Sequence, residues 1–309
     1  MMSSSSSPTA PSSSTAFTPL QLAWLGTGAM GLPMAQRLCA AGHRVHVWNR
    51  TTARAEPLRE AGAVLHTQAA DAVRAADVVV GMLENGPVVH DVLFGAAEAA
   101  AHMRPGTLWI DMASIAPDEA RAHTERLARL GIHALDAPVS GGTVGAEAGT
   151  LSIMVGGSAE DFARATPIFS ALGRATRVGP AGSGQLAKVA NQMIVGTTIG
   201  AVAEALLLCA RGGADMAQVR QALLGGFADS RILTLHGERM VQRDFARRAR
   251  MQVQLKDMRN ALHTADALDC QLPITALVEQ LYADAIAHGL GDLDHSALFL
   301  ELARRNGMA

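Results

Sequence analysis

The sequence predicts an α/β fold, a Rossmann-type, doubly wound and mainly parallel sheet, followed by an all-α carboxy-terminal domain. Three observations lead there. A glycine turn, Gly26 to Gly31 (GTGAMG), joins the apolar run Leu20 to Leu25 to the helical stretch LPMAQRLCAAG. Short β-branched runs then alternate with alanine-rich helical stretches, the order of a parallel sheet. From Gly184 onward those runs stop and helical periodicity takes over, led by GSGQLAKVANQMIVGTTIGAVAEALLLCA, Gly182 to Ala210. A length of 309 residues suits two domains. We expect a disordered serine-rich tail over 1–18, a dinucleotide-binding domain over 19–182 and a helical domain over 183–309.

In the glycine turn, Gly26 permits the tight bend, Gly28 lets a pyrophosphate approach the backbone and Gly31 brings helix against strand. Thr27, Ala29 and Met30 complete it. The helix that follows offers unpaired N–H groups and a partial positive charge to phosphates. The second strand, HRVHVWN, ends at Asn49, Arg50 and Thr51. An NAD site would carry a carboxylate there for the ribose hydroxyls. This chain carries an amide, a guanidinium and a hydroxyl, which suit the 2′-phosphate of NADP. Should Arg50 be an ordinary surface arginine, use of NAD stays open.

The alternation continues through AVLH (Ala63 to His66), DVVVGML (Asp77 to Leu83), TLWIDM (Thr107 to Met112) and HALDAPVS (His133 to Ser140). Ligands of such sheets bind beyond the carboxyl ends of the strands. Leu83, Glu84, Ser114 and Ser140-Gly141-Gly142 all follow strand ends and should line one crevice. The Ser140 segment either cradles a carboxylate with its glycine N–H groups and hydroxyl or forms a plain turn. TLSIMVGG, Thr150 to Gly157, adds an antiparallel edge strand, and Ser158 with Asp161 reads as a capping box.

The stretch from Gly182 to Ala210 reads as one helix, apolar all round and therefore buried. Its two charges are Lys188 and Glu204. A desolvated lysine has a lowered pKa and can trade protons near neutrality, although lysines also snorkel to the surface along their apolar stems. Asn191 and Gln192 follow at the next helical steps on the same face, so ammonium and both amides can converge on one small polar ligand, with Asn191 and Gln192 as candidate substrate-binding residues. The apolar run between Lys188 and Glu204 reads as too short to span a bilayer. Farther on, Gly212-Gly213, Gly225-Gly226, Pro273 and Gly289 to Gly291 punctuate helices, Ser296 is the expected N-cap of the last one, and Lys256-Asp257 interrupts an apolar pattern.

Hydrophobic residues make up 49% of the chain and charged ones 17%, so part of the surface should be covered by further copies, as a homodimer or homotetramer. A net charge of -2 provides no field for nucleic acid and no polybasic membrane segment. Cys39, Cys209 and Cys270 read as reduced packing residues, and no signal or transit peptide is expected, which points to the cytoplasm. No metal-binding motif stands out, and no metal is expected.

GTGAMGLPMA, DMASIAP, LDAPVSGGTVGAEAGTLSIMVGG, GSGQLAKVANQ and LKDM occur in an order that resembles the β-hydroxyacid dehydrogenases, the family of 3-hydroxyisobutyrate dehydrogenase. Within it, KVANQMIVG, AEALLL, QLPITA and GLGDLDHSAL are most similar to the 2-hydroxy-3-oxopropionate (tartronate semialdehyde) reductase branch. The resemblance implies that Lys188 is the catalytic lysine that protonates a substrate carbonyl. It implies that Ser140, Gly141 and Gly142 hold the substrate carboxylate, with Asn191 a substrate-side amide, and that Ser114 and Lys256 lie beside the nicotinamide. The implied substrate is a small carboxylate-bearing aldehyde or hydroxyacid. Specificity for 3-hydroxyisobutyrate, succinic semialdehyde or glyoxylate competes with tartronate semialdehyde, and a non-catalytic nucleotide-binding module is the reading from another class. One departure is Phe245 to Arg250, FARRAR, where the reductases carry a Pro-Gly-Phe-like segment.

Overall fold

In the computed structural model, which describes residues 19–308, the apolar runs of the first half become one nine-stranded sheet. The tail expected over 1–18 lies outside the described residues. The strands are β1 (Gln21–Leu25), β2 (Arg44–Trp48), β3 (Val64–His66), β4 (Val78–Gly81), β5 (Leu108–Asp111), β6 (His133–Asp136), β7 (Val139–Ser140), β8 (Leu151–Gly156) and β9 (Gly173–Gly179). Their order is β3-β2-β1-β4-β5-β6-β8-β7, with β9 pairing β8. The ladders from β3 through β6 are all parallel.

Successive strand residues face opposite sides of a sheet. Leu22 and Trp24 of β1 join one buried cluster with Met34 and Leu38 of the Gly31–Ala40 helix. Ala23 and Leu25 join a second with Val89 of the Gly86–Phe94 helix and Leu127 of the Pro117–Ala128 helix. Both faces are covered, which is why these strands read as continuous apolar runs.

Two details differ from expectation. HALDAPVS forms two strands, because Pro138 has no N–H to give the ladder. TLSIMVGG is antiparallel to β6 and β7, but β9 flanks it in parallel on the other side, so it is not the edge. β9 (GRATRVG) escaped notice because no residue of it is buried and it carries no apolar run.

The second half is helical. The long helix Ser183–Arg211 packs Ile199, Ala203 and Leu206 into a third cluster with Met258 of the Met251–Ala267 helix, Tyr282 of the Pro273–Ala285 helix and Phe299 of the Leu298–Arg305 helix. Within one chain it is not buried all round. Ile194 is 67% and Leu208 74% exposed on the side away from that core. It does reach the length and apolarity of a membrane span, with a mean hydropathy of 1.9 in its richest window, against the expectation that its apolar run is too short. Its first turn is nonetheless built into the sheet. Ser296 does not cap the last helix, whose N-cap position is Ala297 and carries no side-chain cap; a short turn, His295–Ala297, precedes that helix, and Asp294 caps the turn, accepting from Ser296 N and Oγ at 3.2 and 2.6 Å. Ser158 does cap its helix, accepting from Asp161 N at 3.0 Å. Cys270 is exposed, unlike the half-buried Cys39 and Cys209.

Candidate active site

β1 ends where the glycine turn begins, and the turn is too tight for side chains. Gly26 has φ +104°, and a Cβ there would lie 2.4 Å from the Met82 carbonyl oxygen; one on Gly31 would lie 2.1 Å from the Gly26 oxygen. At Gly28 a Cβ would meet nothing within 4 Å, so the backbone there faces open space. The helix opens at Met30 with no side-chain cap; within its first turn Leu32 N donates to Gly28 O at 3.1 Å and Pro33 has no N–H, so it is the backbone of the glycine turn itself that faces an outside acceptor. Ala29 is exposed and Thr27 buried. This cradle fits a dinucleotide pyrophosphate.

Asn49 was expected to face a phosphate, but its amide is already engaged. Its Oδ1 accepts from Thr27 N at 2.9 Å and its Nδ2 donates to Thr51 O at 2.9 Å, so it braces the glycine turn against the end of β2. Arg50 and Thr51 are exposed beside it. Leu83, half-buried, and Glu84, exposed, follow β4. Leu83 reaches the turn, its Cδ2 3.0 Å from where a Gly26 Cβ would stand.

Lys188 lies in the long helix, about one and a half turns from its start at Ser183. Its Nζ donates to Gln192 Oε1 at 2.9 Å, and Asn191 Nδ2 donates to the same oxygen at 2.7 Å. Gln192 Nε2 donates in turn to Asp257 Oδ2 at 2.5 Å, and Lys256 Nζ lies 3.2 Å from Asp257 Oδ1. Gln254 Nε2 donates to Gln192 O at 3.0 Å. Gly196 permits this approach of the two helices, since a Cβ there would stand 2.6 Å from Gln254 Nε2. Desolvation holds the Lys188 ammonium below the usual lysine range; Asp257 opposes that shift and Lys256 adds to it. The structure therefore brings Lys188, Asn191, Gln192 and Lys256 into one polar cluster, with Asp257 as the residue that joins them.

Ser114, half-buried, follows β5. Ser140 ends β7, and Gly141 and Gly142 (φ +142° and +64°) turn the chain into the Gly142–Ala148 helix with both glycines exposed. No hydrogen bond among the described residues ties the Ser140 loop or Arg50 to the Lys188 cluster. A cavity of about 540 Å³ begins at the amino-terminal end of β6, lined by Thr124, His133, Asp161 and Arg177, and holds none of these residues.

Sequence reasoning missed two residues that place the cluster. Asp136, ending β6, accepts from Gly182 N at 2.7 Å and Gln185 N at 2.8 Å, capping the long helix from the sheet. Gln185, fully buried, accepts from Ile115 N at 3.2 Å and donates to Ala113 O at 2.8 Å. The available signal for Asp136 was a carboxylate inside the apolar run ALDAPV; Gln185, directly after Gly-Ser-Gly, carried none. Metal-ligand spacing also missed a cluster, His236, Asp294 and His295, whose ligating atoms lie within 4.8 Å of one another. Asp294 there is taken by Arg239 Nη1 at 3.0 Å, by Ser296 and by Ala249 N at 3.2 Å. The FARRAR segment docks on this loop: Phe245 stacks on Phe299, and Asp294 N and His295 N donate to Phe245 O and Ala249 O at 3.2 and 2.8 Å.

Two family models together match residues 21–302. The NAD binding domain of 6-phosphogluconate dehydrogenase matches residues 21–182, and the NAD-binding domain of NADP-dependent 3-hydroxyisobutyrate dehydrogenase matches residues 182–302. The chain is similar to 2-hydroxy-3-oxopropionate reductase of Escherichia coli (strain K12), 44% identical over 94% of this chain and 100% of that protein. It is 36% identical to 3-hydroxyisobutyrate dehydrogenase of Pseudomonas aeruginosa, over 90% of this chain and 95% of that one. The solved structure of Mycobacterium tuberculosis 3-hydroxyisobutyrate dehydrogenase with L-serine superposes with a TM-score of 0.85 at 31% identity, covering 92% and 99% of the two chains.

Proposed function

We propose a reaction from the premise that this chain belongs to the 3-hydroxyisobutyrate dehydrogenase family and is an NAD(P)-dependent β-hydroxyacid dehydrogenase. The reading is reversible reduction of 2-hydroxy-3-oxopropionate (tartronate semialdehyde) with NADP(H), in the cytoplasm. The 44% relative of that name supports the substrate, and Arg50 and Thr51 at the end of β2, with no carboxylate beside them, support NADP over NAD.

The Gly26–Gly31 turn and the helix it opens hold the pyrophosphate, Arg50 and Thr51 the 2′-phosphate, and Leu83, Glu84, Ser114 and Lys256 flank the nicotinamide. The bound nicotinamide supplies the hydride. Ser140 with the Gly141 and Gly142 N–H groups receives the substrate carboxylate, and Asn191 orients the hydroxyl-bearing carbon. Lys188 stabilises the charge that grows on the carbonyl oxygen and donates a proton to it; in oxidation it takes that proton back. Gln192 holds the ammonium in place before substrate arrives, and Asp257 fixes Gln192.

The observation that carries this reading is the Lys188 ammonium, desolvated yet held by a single amide oxygen, with no carboxylate bonded directly to it. A screen of NADPH oxidation with tartronate, methylmalonate and succinic semialdehydes and glyoxylate tests it. Tartronate semialdehyde should give the highest kcat/KM; a higher value with methylmalonate semialdehyde would replace it with a 3-hydroxyisobutyrate dehydrogenase activity.

We also infer a homodimer or homotetramer. Leu186, Ile194 and Leu208 leave an exposed apolar side on the long helix, opposite the face that packs in the helical core.

A further inference from the structure

Gln185 is a buried polar side chain with every bond committed to one short segment of backbone. Its Oε1 accepts from Ile115 N at 3.2 Å and its Nε2 donates to Ala113 O at 2.8 Å, so the amide brackets Ser114 from both sides. The same residue's backbone N–H is held by Asp136 Oδ2 at 2.8 Å. It lies three residues before Lys188, within one turn of the same helix. A rigid rod thus carries both the side chain that grips the loop after β5 and the ammonium that faces substrate. The first turn is seated directly on the sheet: a Cβ on Gly184 would stand 2.4 Å from Met154 O and 2.5 Å from Asp136 O.

We propose that Gln185 is a positioning residue for hydride transfer, fixing the Ser114 loop relative to Lys188 so that the nicotinamide side and the proton-donating side of the site keep one spacing. The proposal rests on the function read for Lys188 and Ser114 above. It follows from an economy of bonding: a leucine of similar size would fill this fully buried place without leaving an amide to satisfy. An amide here is demanded by Ala113 O and Ile115 N, which flank Ser114 and by their positions close no helix or strand ladder. Misplacing a reacting group by about 1 Å costs on the order of 100-fold in rate.

The test uses Gln185→Leu, which loses both bonds, and Gln185→Glu, which regains both only when its carboxyl is protonated, with OH donating to Ala113 O and C=O accepting from Ile115 N. The charged groups around this place are Asp136 on β6, Asp111 on β5, Glu119 and Arg121 on the Pro117–Ala128 helix, and Lys188 on the long helix. Burial beside carboxylates raises the pKa of an introduced glutamate toward the range of about 8 to 9 seen for buried ones. Activity of Gln185→Glu, taken as a ratio to wild type at each pH, should rise as pH falls through that range; an ionised carboxylate at position 185 would also raise the Lys188 pKa, but that effect alone makes the ratio rise with pH, so it cannot produce the predicted trend. Gln185→Leu should lose about tenfold to 100-fold in kcat at every pH, show a larger isotope effect with nicotinamide-deuterated NADPH, and keep its NADPH Kd within about threefold, because the phosphates are bound elsewhere. Both variants are first checked for folding by circular dichroism. A folded Gln185→Leu with wild-type kcat, or a Gln185→Glu ratio flat with pH, overturns the proposal. Wild-type turnover and its loss in Lys188→Ala are scored separately, so failure here leaves that reading standing, and failure there is recognised before Gln185 is judged.

Discussion

Gln192 Nε2 donates to Asp257 Oδ2 at 2.5 Å, joining the long helix, one turn on from Lys188, to the Met251–Ala267 helix. Asp257 thereby acts on Lys188 at one remove, through the amide that holds its ammonium. Its field favours the charged lysine and that of Lys256 disfavours it. In the reducing direction the protonated lysine is the active form, so activity is present below its pKa and falls above it. Asp257→Asn should move that fall to lower pH, and Lys256→Met should move it to higher pH. The kcat–pH profiles of the two variants measure this. Shifts of the same sign would separate Lys188 from this pair of charges.

Arg50→Asp should weaken NADPH far more than NADH. The change removes a charge-assisted phosphate contact and sets a like charge in its place. Ratios of kcat/KM for the two cofactors measure it, and an unchanged ratio would leave Arg50 an ordinary surface residue.

Asp111 should impose a pH dependence on stability. Burial, with Asp136 and Glu119 adding to it, pushes its carboxyl up to about 8, and its Oδ2 has no hydrogen-bond partner among the described residues. An unfolded chain loses that proton near about pH 3.9. Between these values the native protein holds a proton that the unfolded chain has lost, so this group's contribution to stability falls as pH rises toward 8. Asp111→Asn cannot ionise. Its stability relative to wild type should therefore increase from pH 5 to pH 8 in denaturant unfolding, and a constant difference would show that the carboxyl is ionised throughout.

Ile194→Asp and Leu208→Asp place charges on the exposed apolar side of the long helix. Both should lower the mass measured by light scattering, from at least a dimer toward a monomer, because desolvating an unpaired charge in an interface costs several kcal/mol. A monomeric wild type at micromolar concentration would sink the assembly proposal.

The sheet was legible because its strands are buried on both faces and the glycine turn has a strict context; β9 was not, since an exposed edge strand needs no apolar signature. Lys188, Asn191 and Gln192 were legible as polar residues at helical spacing. Asp257 was visible as a polar interruption, but its bond to Gln192 spans 65 residues, and no local pattern encodes that distance. Asn49 misled for a related reason: its residue type suits a phosphate, while its two hydrogen bonds within the fold commit it to Thr27 and Thr51. Asp136 and Gln185 act through backbone groups, whose positions sequence does not print.

Lys188→Ala, assayed by steady-state kinetics and NADPH fluorescence titration together, tests the central claim most directly. Removing a general acid costs about 10²- to 10⁴-fold, and the lost charge beside the developing alkoxide adds to that. Lys188→Arg should recover little, since a guanidinium stays protonated near neutrality and has another shape. The account predicts that kcat collapses in both variants while NADPH binds as in wild type, held by Gly26 to Gly31 and Arg50. Near wild-type kcat in Lys188→Ala would contradict it.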